Sequence, residues 1–479
     1  MSIKKNFIYN FLLTGSNLLF PLLTFPYLSR IIGAEGLGIS NFILSYCQNY
    51  IIIAALGLPV YGVREIARLG DDKEKRSKLF FELISLHLIF TGILFIIYTV
   101  TVLLSPQFHE YKNLALLGGG YIMLSVFTIE WLFSGVNDFK YITIRSIIIR
   151  SLSVLAIFIF VRQKDDFNVY FIITVITLFL TVLVNVNYAR KYVSLRSLSQ
   201  INIRHHLKSV SVLGIYVILT SIYSVIPVTL LGFFSTKSAV GYYYGANKII
   251  RMVISFFTAL TTVMIPKLNL VLEMKGRDEY KKEVQKSLSF VITFGIPITF
   301  LVFLLANPLI MLLAGKEFQN SIFCIQMMAP VILSVAFAQV FVILILSINR
   351  RETEMVLLSA LGMVISLIIN IIFIPGYGER ATAVSQFSAE LAVTVVSFFL
   401  AKRCFDFNFP IQLFLLNVLF VLPFLFFTHV CLRLTNNIFL QLLFSGASCG
   451  SYFIFYQWFI VKDKFLIGLI EPYLKRLKN

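Results

Sequence analysis

Charge is scarce in this chain. Only 13% of its 479 residues are Asp, Glu, Lys or Arg, while 58% are hydrophobic, and the mean hydropathy is +0.87. A water-soluble surface needs about a quarter of its residues charged, so the three or four soluble domains that the length alone would allow are excluded. Acid is scarcer than base, with 23 Asp and Glu against 41 Lys and Arg. The five cysteines (Cys47, Cys324, Cys404, Cys431 and Cys449) are odd in number, lie in or beside apolar runs, and have no spacing for a disulfide framework or a thiolate metal site. No metal constellation and no nucleophile–base arrangement stands out among the polar residues. The five His are scattered, apart from His205–His206 in a basic loop, which reads as solvated surface. Short segments of alternating polarity are missing too, which excludes a membrane β-barrel.

What the chain does have is apolar runs of about 20 residues, each long enough to cross roughly 30 Å of hydrocarbon. In lipid every backbone polar group must be paired internally, so these runs are expected to be helices. Fourteen spans are predicted, near 8–31, 39–62, 80–104, 114–135, 142–161, 169–188, 209–234, 241–265, 288–313, 321–347, 355–374, 382–401, 411–432 and 438–460. Residues 1–31 lack a small-residue cleavage site and read as the first span rather than a signal peptide. With the N-terminus in the cytoplasm, thirty Lys and Arg fall in inner segments and seven in outer loops. The positive-inside rule therefore places both termini in the cytoplasm. Because the net charge of +18 is spread over short loops, it is explained by topology, and no nucleic-acid partner is expected. Outer loops of about ten residues or fewer leave little room for a catalytic apparatus, so an enzyme is disfavoured.

The two halves look related. Pro26, the turn expected at GAEGLG (33–38), a span, Pro59 and the charged GDDKEKRSK (70–78) are echoed by Pro227, STKSAVG (235–241), a span, Pro266 and MKGRDEYKKE (274–283). Aligning Gly38 with Gly241 sets an offset of 203. The polar residues Asn41, Ser45 and Gln48 of span 2 then fall on Tyr244, Lys248 and Arg251 of span 8, each trio on one helix face. The expected organisation is an N-lobe at 1–191, a cytoplasmic linker at 192–208, a C-lobe at 209–402, and two further spans with a basic tail at 403–479.

Charges inside spans are costly and therefore informative, at roughly 3 kcal/mol or more for an unpartnered base near mid-bilayer. Lys248 and Arg251 lie about 10 and 15 Å into span 8, with Ser255 continuing their stripe. They point to a water-filled cavity with a cationic wall, and the Arg fork suits phosphate; the alternative is an internal ion pair, for instance with Glu390. Arg150 lies in span 5, about 7 Å deeper than Arg145. Arg30 and Arg145, near span ends, are either cavity residues or bases that snorkel to headgroups. Glu130, about 7 Å inside span 4, could carry a coupling proton, pair with Arg145 or Arg150, or cap a local network. Its neighbour Trp131 reads as a ring near the interface, and Glu65 as a surface partner of Arg64.

Three blocks carry a family resemblance: GLPVYGVREIARLGDDKEKRSKLF (57–80), EWLFSGVNDFKYITIRSIIIR (130–150) and VGYYYGANKIIRMV (240–253). They resemble the polysaccharide transporter family, the O-antigen and capsule-unit flippases within the multidrug/oligosaccharidyl-lipid/polysaccharide exporter superfamily. Many relatives have Gln where this chain has Ser134, and an acid in the seventh span, where IPVTLLG (226–232) has none. The resemblance implies an all-α polytopic membrane protein, with two pseudo-symmetric six-helix lobes around a central cavity plus two C-terminal helices. It implies alternating-access movement of oligosaccharide linked to undecaprenyl diphosphate across the bacterial cytoplasmic membrane. The diphosphate would meet Lys248 and Arg251, and the sugars would meet Asn41, Ser45 and Gln48. No cofactor is expected, and a proton or sodium gradient would be the driving force. Besides substrate and membrane lipid, a glycan polymerase or assembly machinery is a candidate partner. A cation-coupled multidrug antiporter of the same superfamily and a lipid II flippase are the rival readings.

Overall fold

The long apolar runs fold as the expected helices, several of them with a proline inside. The computed structural model describes residues 3–194 and 202–461; among them no strand occurs. The helices are α1 (Ile3–Ile31), α2 (Gly33–Ala55), α3 (Leu58–Leu69), α4 (Lys73–Leu104), α5 (Lys112–Ser125), α6 (Glu130–Gly135), α7 (Phe139–Phe160), α8 (Phe167–Ala189), α9 (Arg204–Phe234), α10 (Lys237–Leu304), α11 (Ala306–Leu313), α12 (Ser321–Ala338), α13 (Glu352–Tyr377), α14 (Glu379–Cys404), α15 (Ile411–Phe420), α16 (Phe424–Leu434) and α17 (Ile438–Tyr456). Eleven helical segments among the described residues are long and apolar enough to cross a membrane. One of them, α10, breaks at Gly276 (φ 81°) and so holds two of the expected spans. With α1 and α9 they account for the fourteen, and the protein is a multi-pass, all-α membrane protein. Side chains such as Ile148, Leu152, Leu155 and Ile159 form an exposed apolar stripe along α7, as lipid rather than water requires.

Several expected boundaries move, each for a local reason. The turn expected at 33–38 is already helix: α1 and α2 are joined by Ile32 alone, and Gly33 takes φ 70°. The second span stops at Ala55, because Leu56 and Gly57 both adopt left-handed backbone and Pro59 sits in the first turn of α3, where its missing N–H costs nothing. Glu65 therefore lies on the separate helix α3, within 3.0 Å of Arg64 and 3.3 Å of Arg68. The fourth span is interrupted by a short 3-10 turn (Val126–Thr128) and by Ile129, held at φ 41°. The thirteenth is divided at Val421–Pro423 into α15 and α16. The expected basic tail lies outside the described residues, as does 195–201 of the expected linker.

The chain divides into two compact units, 1–244 and 245–479, with the boundary inside α10. In the first, α1 packs on α7, and α2 packs on α4, α5 and α9. In the second, α14 packs on α12 and α13 through small buried residues (Ala381, Ala383, Ser385, Ala389). Small residues let membrane helices approach closely, and buried polar groups tie them. Here Asn370 Nδ2 donates to Ser385 Oγ at 2.6 Å.

Glycine positions show how tightly the first unit is assembled. A Cβ on Gly38 would lie 1.7 Å from the Lys237 carbonyl oxygen, and one on Gly241 would lie 1.9 Å from that of Ala34. Ala34 and Lys237 are separated by the same offset of 203 as the two glycines. The start of α2 and the start of α10 thus cross with their backbones in reciprocal contact, residue for equivalent residue, as expected of a self-complementary pairing of related elements.

Candidate functional site

The most polar ground in the first unit begins with two helices that have no room for side chains at their crossing. A Cβ on Gly62 of α3 would meet Trp131 Cε3 at 2.6 Å, and one on Gly135 of α6 would meet Ile66 Cγ2 at 2.6 Å. Trp131 is therefore not an interfacial ring. It is 6% exposed and packs in a cluster with Tyr61, Phe80, Leu83 and Phe133. Two of the blocks that carry the family resemblance are thus neighbours in space, each supplying a glycine for the other's large side chain.

The break before α6 sets up the chemistry. Unwinding at 126–129 frees the Thr128 carbonyl, a group that cannot be left unpaired in an apolar interior. Asn185 Nδ2 of α8 donates to it, and Asn185 Oδ1 accepts from Arg145 Nη1 at 2.7 Å and from Tyr141 Oη at 2.9 Å. Arg145 Nη2 in turn donates to Glu130 Oε1 at 2.5 Å and to Ser146 Oγ at 2.7 Å. Of the two partners open to Glu130 on sequence grounds, Arg145 is the one it bonds. The guanidinium side chain is buried at 4% exposure while the carboxylate is 53% exposed, so the acid faces open space and the base is enclosed.

That open space is a cavity of about 530 Å³ among α1, α5, α6, α7 and α8. Arg150 lines it, donating from Nη1 to Ser16 Oγ at 3.1 Å and to Asn17 Oδ1. Thr174, Thr177 and Thr181 form a hydroxyl stripe along its α8 wall.

Asn41 Nδ2 donates to its own helix at Leu37 O, 2.7 Å away. Ser45 is buried against α9, where it accepts from Thr229 Oγ1 at 3.0 Å, and Asn49 donates to the same threonine at 2.8 Å. Gln48 is half-buried. Arg30 is exposed at the end of α1, with Nη1 3.4 Å from Pro26 O. Tyr244 makes an edge contact with Phe25, ring centres 6.2 Å apart. In the second unit Lys248 is half-buried and Arg251 exposed, one helical turn apart on α10, and Ser255 Oγ donates to Met252 O at 2.5 Å. Glu390 is buried and accepts from Gln386 at 3.1 Å. Within the first unit Glu130, Arg145 and Arg150 share the cavity; within the second, Lys248, Arg251 and Ser255 share a face of α10.

One cluster was misread from sequence. His206 is not solvated: it is 6% exposed, with Nδ1 2.8 Å from Tyr61 Oη and Nε2 2.9 Å from Glu82 Oε2. Glu82 also accepts from the Asn202 N–H at 3.0 Å. This network ties α3, α4 and α9 together. The available signal was Glu82 itself, an acid inside KLFFELISL, and Asn185 in LVNVNYA is a second polar intrusion of the same kind. Tyr243, at the start of α10, is likewise buried, at 2% exposure.

The family model described as "Polysaccharide biosynthesis protein" matches residues 3–269. A protein named "Putative O-antigen transporter" from Escherichia coli (strain K12) is 26% identical over 405 residues, 82% of this chain and 95% of that protein. A protein of the same name from Shigella dysenteriae is 22% identical, over 82% of this chain and 98% of that one. Among solved structures, the lipid II flippase MurJ in an inward closed conformation is similar with TM-score 0.67 at 17% identity, over 92% of this chain and 99% of that one. An inward-facing multidrug resistance MATE family transporter of the MOP superfamily is similar with TM-score 0.62 at 16% identity, over 81% of this chain and 97% of that one. At these identities the solved structures establish a shared fold.

Proposed function

Because this chain belongs to the family of polysaccharide biosynthesis proteins, matched over residues 3–269, we propose that it is a flippase for lipid-linked glycan. It moves oligosaccharide units carried on undecaprenyl diphosphate from the inner to the outer leaflet of the bacterial cytoplasmic membrane, with its termini in the cytoplasm. The observation that carries this reading is the similarity to the Escherichia coli protein named "Putative O-antigen transporter" over 82% of the chain. The basic residues supply the chemistry. Lys248 and Arg251 sit one turn apart on an apolar helix, and a diphosphate is the group that would repay the cost of holding two bases there. Arg150, Arg30 and the polar groups of Asn41, Gln48, Tyr244 and Ser255 are the further candidates for the headgroup and its sugars. Ser45 has the weakest claim, since it already serves the packing of α2 on α9.

The solved neighbours raise two rivals: a lipid II flippase and a multidrug exporter. The first shares the diphosphate chemistry and differs in the glycan. The second, if its substrates are cations, would favour acids over the Lys248–Arg251 stripe. Deleting the gene separates the three. The proposal expects sugar-linked undecaprenyl diphosphate to accumulate on the inner face while surface glycan disappears. Arrest of cell-wall synthesis would indicate lipid II, and drug sensitivity with unchanged glycan would indicate the exporter; either overturns the proposal.

A further inference from the structure

The cavity in the first unit has its own composition. We propose that it is a subsite for a single sugar bearing a carboxylate, with Arg150 as the anchor for that carboxylate. The proposal rests on the flippase reading for the statement that the ligand is a glycan; the charge and hydroxyl pattern below rest on geometry alone.

Three charged side chains line the cavity: Arg145, Arg150 and Glu130. Glu130 and Arg145 neutralise each other at 2.5 Å, and Arg145 is further occupied by Asn185 and Ser146. Arg150 is different, because its hydrogen-bond partners, Ser16 and Asn17, are both neutral. Both bonds come from Nη1, which leaves the rest of the guanidinium fork for a ligand. Among the described residues that line it, the cavity therefore carries one positive charge in excess. A monoanion balances it, whereas a phosphate dianion would leave a negative charge in a region of low dielectric. A planar carboxylate also fits the fork in two-point geometry.

The walls then specify what the monoanion is attached to. Thr174, Thr177 and Thr181 donate their hydroxyl protons back to their own helix, to the carbonyls of Tyr170, Ile173 and Thr177, at 3.0, 2.7 and 2.8 Å. Thr24 does the same on α1, to Phe20 O at 3.1 Å. With their protons committed, these oxygens are left as acceptors, and acceptors at regular helical spacing call for a ligand rich in hydroxyl donors. The volume of about 530 Å³ lies within the range of small-molecule sites. One carboxylate and several hydroxyls on a compact ring describe a uronic acid.

The test uses the full chain in nanodiscs, titrated with glucuronate at constant ionic strength and followed by thermal melting. Glucose, acetate and inorganic phosphate serve as parallel probes. A saturable rise in melting temperature with glucuronate, much weaker with the other three, is expected. Arg150→Gln should weaken the response about tenfold or more, since it removes a hydrogen bond to a charged group, and Arg150→Lys should retain part of it. Should Arg150→Gln fail to fold, Thr177→Leu fills the cavity from the opposite wall and should abolish the response without touching a charge. Equal responses to glucose and glucuronate, a phosphate response as strong, no glucuronate response, or an unchanged response in either variant would each overturn the assignment. Flipping measured with the wild-type chain keeps the two readings apart: no glucuronate binding by wild type that still flips lipid-linked glycan rejects only the subsite, whereas no flipping by folded wild type rejects the flippase reading.

Discussion

Replacing Gly38 with alanine is the sharpest test of how the first unit is assembled. The added Cβ would lie 1.7 Å from the Lys237 carbonyl oxygen, where ordinary contact begins at 3.4 Å. The obstructing atom is backbone, so no rotamer change relieves it, and α2 and the start of α10 must separate by about half that contact distance. Overpacking of this kind costs about 1–3 kcal/mol, and a backbone collision belongs at or above the upper end. Gly241→Ala meets Ala34 O at 1.9 Å and should cost a similar amount, because the contact is reciprocal. Gly92→Ala in α4 is the control: nothing lies within 4 Å of its added Cβ, and glycine-to-alanine in a helix is worth up to about 1 kcal/mol in the other direction. Thermal melting of the four proteins in one detergent gives the comparison. Gly38→Ala and Gly241→Ala should both melt well below wild type, and Gly92→Ala at or above it. Wild-type melting of Gly38→Ala would refute the close crossing and with it the structural support for the repeat.

Three further outcomes are expected. Trp131→Ala should destabilise by about 3–5 kcal/mol as a large core truncation, and combining it with Gly62→Ala should cost less than the sum, because the ring is what the new methyl strikes. Glu82→Gln and His206→Ala should each lower the melting temperature, and the double variant should fall short of the sum, since both break one buried network. Asp138, in the connection before α7, is held below the usual carboxylate range. Burial pushes it up, but hydroxyls from Tyr192 and Tyr188 and the Tyr141 N–H outweigh that effect. A depressed folded-state pKa gives stability that is present above the unfolded value near 3.9 and is lost as pH falls through the folded value. Asp138→Asn should therefore melt lower than wild type at pH 7, with the gap closing towards pH 3.

The helices were legible in the sequence because lipid leaves the backbone no alternative: each of the fourteen expected spans lands on helix. What hydropathy did not reveal were interruptions with no breaker residue. Ile129 is β-branched and still takes φ 41°, a conformation imposed by the packing of α6 on α3 rather than by its own preference. The offset of 203 was readable from turn residues, but that Gly38 and Gly241 touch each other's partner helix was not. In the candidate site, Glu130 and Arg145 were identifiable as costly intramembrane charges, and their separation on neighbouring spans made a pair one of the open readings. Asn185, which joins them to the freed Thr128 carbonyl, required the break to be known first. Trp131 and His206 were misjudged for one reason: aromatic and basic residues near a membrane surface usually face it, and here each is enclosed by a helix arriving from elsewhere in the sequence.

The central claim is tested most directly by reconstitution. Purified protein in liposomes that carry undecaprenyl-diphosphate-linked glycan on the inner leaflet should deliver the sugar head to the outer leaflet, as read by a non-permeant lectin or glycosidase. Arg251→Ala should slow that delivery while melting as wild type does. No movement of the glycan by the folded protein would contradict the flippase reading, and normal movement by Arg251→Ala would remove that residue from the mechanism.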